Sequence, residues 1–433
     1  MNPNDLLASW STLSLDQAEA RLEAGEDVEA LAQLLGLEEA AELREMAHLP
    51  RSRGAREAVV LLPGIMGSLL YSIRGVTTVL WINPLLFLQG NSAYLELNQD
   101  GSGDGAPTIE TVPFALEKLC YLKIGLALRR QVELFEFPYD WRLPVEANGD
   151  LLGRCLERWA GGDPDRQFTL VGHSMGGLVS RAYLARHTAQ AERRVRHLIM
   201  HGTPHFGAAG AMENLITGNR MMAVIAKLNE KNTVRRLLLN LPSVYQLVPA
   251  PPDLFPAHRE YPADWDLYDA AAWQLDGIRQ DYLDGGRRFH RLLAGSDPQV
   301  EITQIAGCSQ DTVVGVQRPS GGQTAHQMIR KEEGPDAGDG TVPLWSAVLP
   351  GATMYYIEEV HRTLPKNKAV IQATLDLIHG QTPDLWTDIP AHRQAERSRA
   401  IAEPVDAEAE RIRRRLEDGS ATEEELAPLF FAL

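Results

Sequence analysis

Three residue types that make a nucleophile together stand in chain order at Ser174, Asp339 and His361. Ser174 lies in Gly172-His173-Ser174-Met175-Gly176, Asp339 in Gly338-Asp339-Gly340-Thr341-Val342-Pro343, and His361 just beyond Tyr355-Tyr356-Ile357. A serine hydroxyl is a weak nucleophile, so it has to be offered to a base. The pattern G-x-S-x-G does this at a sharp strand-to-helix turn, with glycines two positions either side removing side chains that would collide there. A histidine then takes the serine proton and an aspartate holds the imidazole. Asp336 and Asp311 compete for the acid, and His326 for the base. Position within the alternation of strands and helices favours Asp339 and His361.

Acyl transfer also needs donors for the developing oxyanion. The helix that starts after Ser174 presents the Met175 N–H, and the loop Pro63-Gly64-Ile65-Met66-Gly67-Ser68 offers a second donor, Ile65 N–H, with Met66 as the alternative. The stretch Tyr139-Asp140-Trp141-Arg142 follows another strand, and an aspartate–arginine pair there reads first as a structural brace of the site.

The elements that must position these residues follow from apolar patterning. Continuous apolar runs near 58–62, 134–137, 168–173, 195–200, 300–306 and 354–357 read as buried strands, and 151–160, the segment after Ser174 and 368–379 carry helical spacing. Strands alternating with helices predict an α/β fold with a mostly parallel sheet and helices on both faces. The order Ser, Asp, His along the chain is that of α/β-hydrolases. Residues 57–385 form the predicted catalytic domain, with 71–110 read as irregular surface, including the apolar Leu85 to Leu88. Residues 208–295 break the alternation and read as a cap or lid insertion, whose Leu215, Ile216, Met221, Met222, Val224 and Ile225 suit either an acyl pocket or the insertion's own core. Residues 1–50 are an acidic helical N-terminal extension, expected to pack on the catalytic domain or to dock a protein partner. Residues 386–433 are a charged helical C-terminal tail, with a helix over Ala407 to Leu416 and Phe430, Phe431 and Leu433 beyond it.

Composition narrows the partners. The 433 residues are 44% hydrophobic and 23% charged, and the net charge of −16 argues against a nucleic-acid partner. No run approaches a transmembrane segment, and the acidic start lacks the form of a signal peptide. Three widely spaced cysteines, Cys120, Cys155 and Cys308, suit a reducing compartment, so a cytoplasmic location is expected. No metal and no cofactor are expected: His201 and His205 are four apart but fall on a strand end and a Pro/Gly loop, not on one helix face.

Taken together and in order, PGIMGS (63–68), FPYDWR (137–142), GHSMGG (172–177), GTPHFG (202–207), LPSVYQLVP (241–249), GDGTVP (338–343) and VHRTLP (360–365) resemble the lecithin:cholesterol acyltransferase family of α/β-hydrolases over about residues 57–380. The resemblance implies Ser174 as nucleophile, Asp339 as acid, His361 as base, Ile65 and Met175 N–H as oxyanion hole, and Tyr139, Asp140, Trp141 and Arg142 as bracing residues. It implies an acyl ester or lipid substrate. No cysteine pair here replaces the disulfide-closed loop of secreted animal members. The expected activity is serine acyl hydrolysis of a lipid-like carboxylic ester. Acyl transfer to an alcohol through the same acyl-enzyme, or a non-catalytic docking role for the fold, are the alternatives.

Overall fold

The structure, a computed structural model, describes residues 9–10, 12–52, 57–75, 77–81, 92–218, 220–228, 234–319, 326–332, 334, 337–389, 405–422 and 424–426. Eleven strands are found among them: β1 (Ala58–Leu62), β2 (Ser68–Arg74), β3 (Thr78–Trp81), β4 (Glu110–Leu116), β5 (Glu133–Glu136), β6 (Phe168–His173), β7 (Val195–His201), β8 (Glu301–Cys308), β9 (Thr312–Gln317), β10 (Gln327–Lys331) and β11 (Thr353–Glu358). Six of them make one sheet in the order β11-β8-β7-β6-β1-β5, with every pairing parallel.

Every residue of β1 and β6 is buried, as a strand covered on both faces requires. Successive side chains divide between the two faces. Val60 and Leu62 of β1 join a core with Leu152, Leu156, Leu178 and Ala182, while Val59 and Leu61 join Tyr121, Ile124, Leu128 and Ile371. The first face is covered by the helices Val145–Ala160 and Met175–Arg186, the second by Lys118–Gln131 and Lys368–Ile378. Side-chain caps fix where the second pair begins. Glu117 accepts from Leu119 and Cys120 N–H at 2.8 and 2.9 Å, and Asn367 from Ala369 and Val370 N–H at 2.8 and 3.2 Å. This is the α/β-hydrolase fold.

The structure corrects the reading of 71–110 as irregular. Its described part contributes to an antiparallel sheet, β3-β2-β4, whose strands are short and shifted in register, so no clean alternation marks them. A hairpin of β9 and β10, also unmarked in the sequence, stands between β8 and the Asp339 turn. Leu85 to Leu88, Asp336, Phe430, Phe431 and Leu433 lie outside the described residues, as do the side chains of Met221, Met222 and Ile225.

Of three N-terminal helices, Leu15–Ala24, Val28–Leu35 and Leu37–His48, the first and third pack on the 118–131 helix and the second packs on the third. Glu19, 3% exposed, faces Arg51 at 2.7 Å, Arg129 at 3.1 Å and Arg130, and Glu42 pairs with Lys123 at 2.9 Å. Glu39 reaches Lys366, five residues past His361, at 3.3 Å. The helix Val405–Glu417 returns to the insertion, where Arg413 donates to the Leu228 carbonyl at 2.9 Å. Within the insertion Leu215 and Val224 are fully buried and Ile216 is 5% exposed.

Candidate active site

Ser174 sits where β6 ends and the Met175–Arg186 helix begins, at φ 52°, ψ −123°, a region a side chain rarely occupies. The crowding around it explains the glycines: a Cβ on Gly172 would lie 2.7 Å from the Gly177 nitrogen, and one on Gly176 would lie 2.5 Å from the Pro63 carbonyl oxygen. The turn is held by its own backbone. Ser174 N–H donates to the His201 carbonyl at 2.8 Å, and Thr203 Oγ1 donates to the Ser174 carbonyl at 3.1 Å.

Asp339 is 2% exposed and both its carboxylate oxygens have partners. Oδ1 accepts from the N–H groups of Thr341 (3.0 Å) and Val342 (2.7 Å), and Oδ2 lies 2.7 Å from His361 Nδ1. A carboxylate can only accept, so His361 Nδ1 carries the proton and Nε2 keeps a free lone pair. The His361 N–H also donates to the Asp339 carbonyl at 2.8 Å. Glycine spaces bring the pair against the strands. A Cβ on Gly202 would stand 3.0 Å from both Asp339 Oδ2 and His361 Nδ1, and one on Gly307 would stand 2.6 Å from Asp339 Cβ. Ser174 and the Asp339–His361 pair lie at the edge of the sheet formed by the carboxyl ends of its strands, each 8% exposed or less, with the His361 ring 4.9 Å from that of His173, the residue before Ser174.

The loop 64–67 closes the site from β1. Gly67 N–H donates to the Gly64 carbonyl at 3.1 Å, and Met66 adopts φ 61°. A Cβ on Gly64 would lie 3.0 Å from Ser174 Cβ, which places this loop directly over the serine. Among the described residues none accepts a hydrogen bond from the N–H groups of Ile65, Met66 or Met175. Free N–H groups next to a helix start are what a developing oxyanion requires.

The Tyr139–Arg142 stretch braces that loop. Tyr139 OH donates to the Pro63 carbonyl at 2.7 Å, Trp141 Nε1 to the Ser68 carbonyl at 3.1 Å, and Tyr139 N–H to Ser68 Oγ at 3.0 Å. Trp81 Nε1 donates to the Met66 carbonyl at 2.8 Å. Arg142, 1% exposed, grips Asp140 through Nε (2.9 Å) and Nη2 (2.7 Å), and reaches Asp104 at 2.9 Å and the Leu95 carbonyl at 3.2 Å.

The described rivals, Asp311 and His326, have other partners. Asp311 pairs with Arg330 at 3.0 Å, and the His326 ring packs 5.6 Å from that of Trp265. His201 Nε2 meets Thr374 Oγ1 at 2.9 Å, and His205 Nδ1 lies 3.3 Å from Arg181. Sequence reasoning missed His173, Tyr121 and Thr203. His173 stood inside the elbow motif, and Tyr121 has no local signal because it meets His173 across 52 residues.

Residues 121–280 match the family model for lecithin:cholesterol acyltransferase. Over that stretch the chain is similar to that family. Among curated proteins the chain is 24% identical over 235 residues to phospholipase A(1) LCAT3 of Arabidopsis thaliana, covering 45% of this chain and 53% of that one. It is 26% identical over 133 residues to the lecithin-cholesterol acyltransferase-like 4 protein of the same plant, covering 30% and 25%. The match therefore spans about half the length of the first relative and a quarter of the second. Solved structures with similarity include the Tle4-Tli4 complex (14% identity, TM-score 0.46, 76% of this chain and 99% of that chain) and mature Bacillus licheniformis lipase BlEst2 (16%, 0.34, 76% and 94%).

Several buried imidazoles make the fold acid-sensitive. Burial pushes His201 and His290 down to about 4, and pushes His173 and His205 well below the ordinary histidine value, aided by neighbouring His361 and Arg181 respectively. A folded pKa below the unfolded 6.5 means the unfolded chain binds more protons between about 6.5 and 4. Stability contributed by these groups is full above 6.5 and is lost as pH falls toward 4. His201 and His290 each contribute on the order of 3 kcal/mol by this route. The urea midpoint should therefore fall steeply between pH 6.5 and 4; a flat midpoint through that window would contradict the assignment.

Proposed function

We propose that the protein is a serine acyl hydrolase that cleaves a carboxylic ester, lipid-like in its acyl part, through an acyl-enzyme. The observation that carries this reading is Ser174 at φ 52° beside an Asp339–His361 pair at 2.7 Å, under a loop whose N–H groups have no acceptor among the described residues. In the proposed cycle His361 Nε2 takes the Ser174 proton as Oγ attacks the ester carbonyl. Ile65 or Met66 N–H and Met175 N–H stabilise the oxyanion. The C–O bond to the alcohol breaks as His361 returns the proton to it, and water, deprotonated by the same imidazole, releases the acid.

The lipid-like substrate draws on the phospholipase and acyltransferase names of the relatives. The family description also favours a second reading, in which an alcohol replaces water at the deacylation step. Products formed with a long-chain alcohol present separate the two, an ester marking transfer and free acid marking hydrolysis. The free cysteines fit a reducing, cytoplasmic setting.

Covalent labelling with a fluorophosphonate tests the mechanism. Wild type should label and Ser174→Ala should not, with esterase turnover reduced at least about 10³-fold. Labelling or turnover retained in Ser174→Ala would remove the serine from the mechanism.

A further inference from the structure

A chain of hydrogen bonds outside the proposed triad ties the oxyanion loop to the base. Gly64 N–H lies 2.8 Å from Tyr121 Oη, Oη lies 2.8 Å from His173 Nδ1, and His173 Nε2 lies 3.1 Å from the His361 carbonyl oxygen. Both ends are backbone groups of fixed polarity, and this settles the direction of every link. Gly64 N–H can only donate, so Tyr121 Oη accepts it and must send its own proton to His173 Nδ1. The His361 carbonyl can only accept, so His173 Nε2 carries the hydrogen. Burial favours the neutral phenol and the neutral imidazole that this arrangement requires.

The approach is built into the packing. A Cβ on Gly67 would stand 2.9 Å from Tyr121 Oη, and one on Gly64 would stand 3.2 Å from His173 Nδ1. The His173 ring lies 4.9 Å from the His361 ring and 5.8 Å from that of Tyr121. Tyr121 is fixed from below by the 118–131 helix, whose start is set by the Glu117 cap.

We infer that Tyr121 and His173 are positioning residues: one phenol hydroxyl bridges Gly64 N–H and His173 Nδ1, so that the oxyanion loop and the His361 backbone are held in register with Ser174. The inference rests on the serine hydrolase reading of the site. Both side chains are buried. Without the hydroxyl, Gly64 N–H and His173 Nδ1 both lose their partner inside the protein, while the His361 carbonyl still holds His173 as the Nε2–H form. The loop before Ile65 and Met66 is then no longer tied to His173 and, through it, to the His361 backbone.

Nitrogen-15 spectra of histidine-labelled protein, with kinetics on a short p-nitrophenyl ester, decide this. Wild-type His173 should be the Nε2–H tautomer at neutral pH. Tyr121→Phe should keep the Nε2–H form but shift the Nδ1 resonance as its lone pair loses the phenol donor, and should lower kcat about 10- to 100-fold, as small misplacements of oxyanion donors do, with KM within about twofold. Finding wild-type His173 as Nδ1–H overturns the inference, and so does a Tyr121→Phe kcat within about twofold of wild type. Should Tyr121→Phe fail to fold, the wild-type tautomer decides alone. That spectrum needs no turnover, so it stays separate from the fate of the serine mechanism, which Ser174→Ala reports.

Discussion

Asp339→Asn should lower kcat about 10⁴-fold near neutral pH with the fold retained. The size follows from which oxygen does what. Oδ1 already holds two backbone N–H groups, Thr341 and Val342, at 3.0 and 2.7 Å. An asparagine amide has to keep its oxygen there, because its NH₂ would oppose two donors. The NH₂ then stands where Oδ2 faced His361 Nδ1. His361 can meet it only by presenting a bare Nδ1, which moves the ring proton to Nε2 and leaves no lone pair for the Ser174 hydroxyl. The protein is thus set to hold the wrong tautomer firmly. Steady-state kinetics with thermal unfolding would show it; a well-folded Asp339→Asn within tenfold of wild type would mean that another group orients the base.

Arg142→Met is the substitution expected to cost the most stability, about 3–5 kcal/mol. The guanidinium is 1% exposed and serves two carboxylates whose side chains are 10% and 15% exposed. Methionine fills much of the volume, so the loss comes from Asp140 and Asp104 stranded without a cation. Adding Asp140→Asn to Arg142→Met should therefore recover part of the loss, a non-additive result that lost packing alone would not give. Urea midpoints of the two single variants and the double would measure the coupling, and an Arg142→Met cost below about 1 kcal/mol would refute it. Because Tyr139 and Trp141 hold the Pro63 and Ser68 carbonyls, the same variant should also loosen the loop over Ser174.

The parallel sheet was legible because its strands are buried on both faces and so read as unbroken apolar runs, as in Ala58–Leu62 and Phe168–His173. Ser174, Asp339 and His361 stood out because each lies at a glycine-rich turn or just past a strand end, and the fold gathers all three at one edge. The sheet β3-β2-β4 was hidden by strands as short as Thr78–Trp81 and by repeated register shifts. Backbone donors such as Ile65 N–H have no side-chain signature, so the loop was named with Ile65 N–H as donor and Met66 N–H as the alternative. Tyr121 looked like one more apolar position of its helix, since a hydrogen bond across 52 residues leaves no mark on local spacing.

The order of the sheet has a consequence for the chain as it is made. β6 lies between β1 and β7, so the serine turn has both its neighbours once residue 201 has emerged, whereas β11, which carries the approach to His361, joins only at the far edge beside β8. At typical synthesis rates roughly 8–30 s separate the two events. Throughout that interval a nascent chain can own a finished elbow with neither carboxylate nor imidazole to arm it. Translation itself therefore acts as the safety catch: the half-made protein is chemically mute, and the proposed activity switches on only after the last strand is laid down.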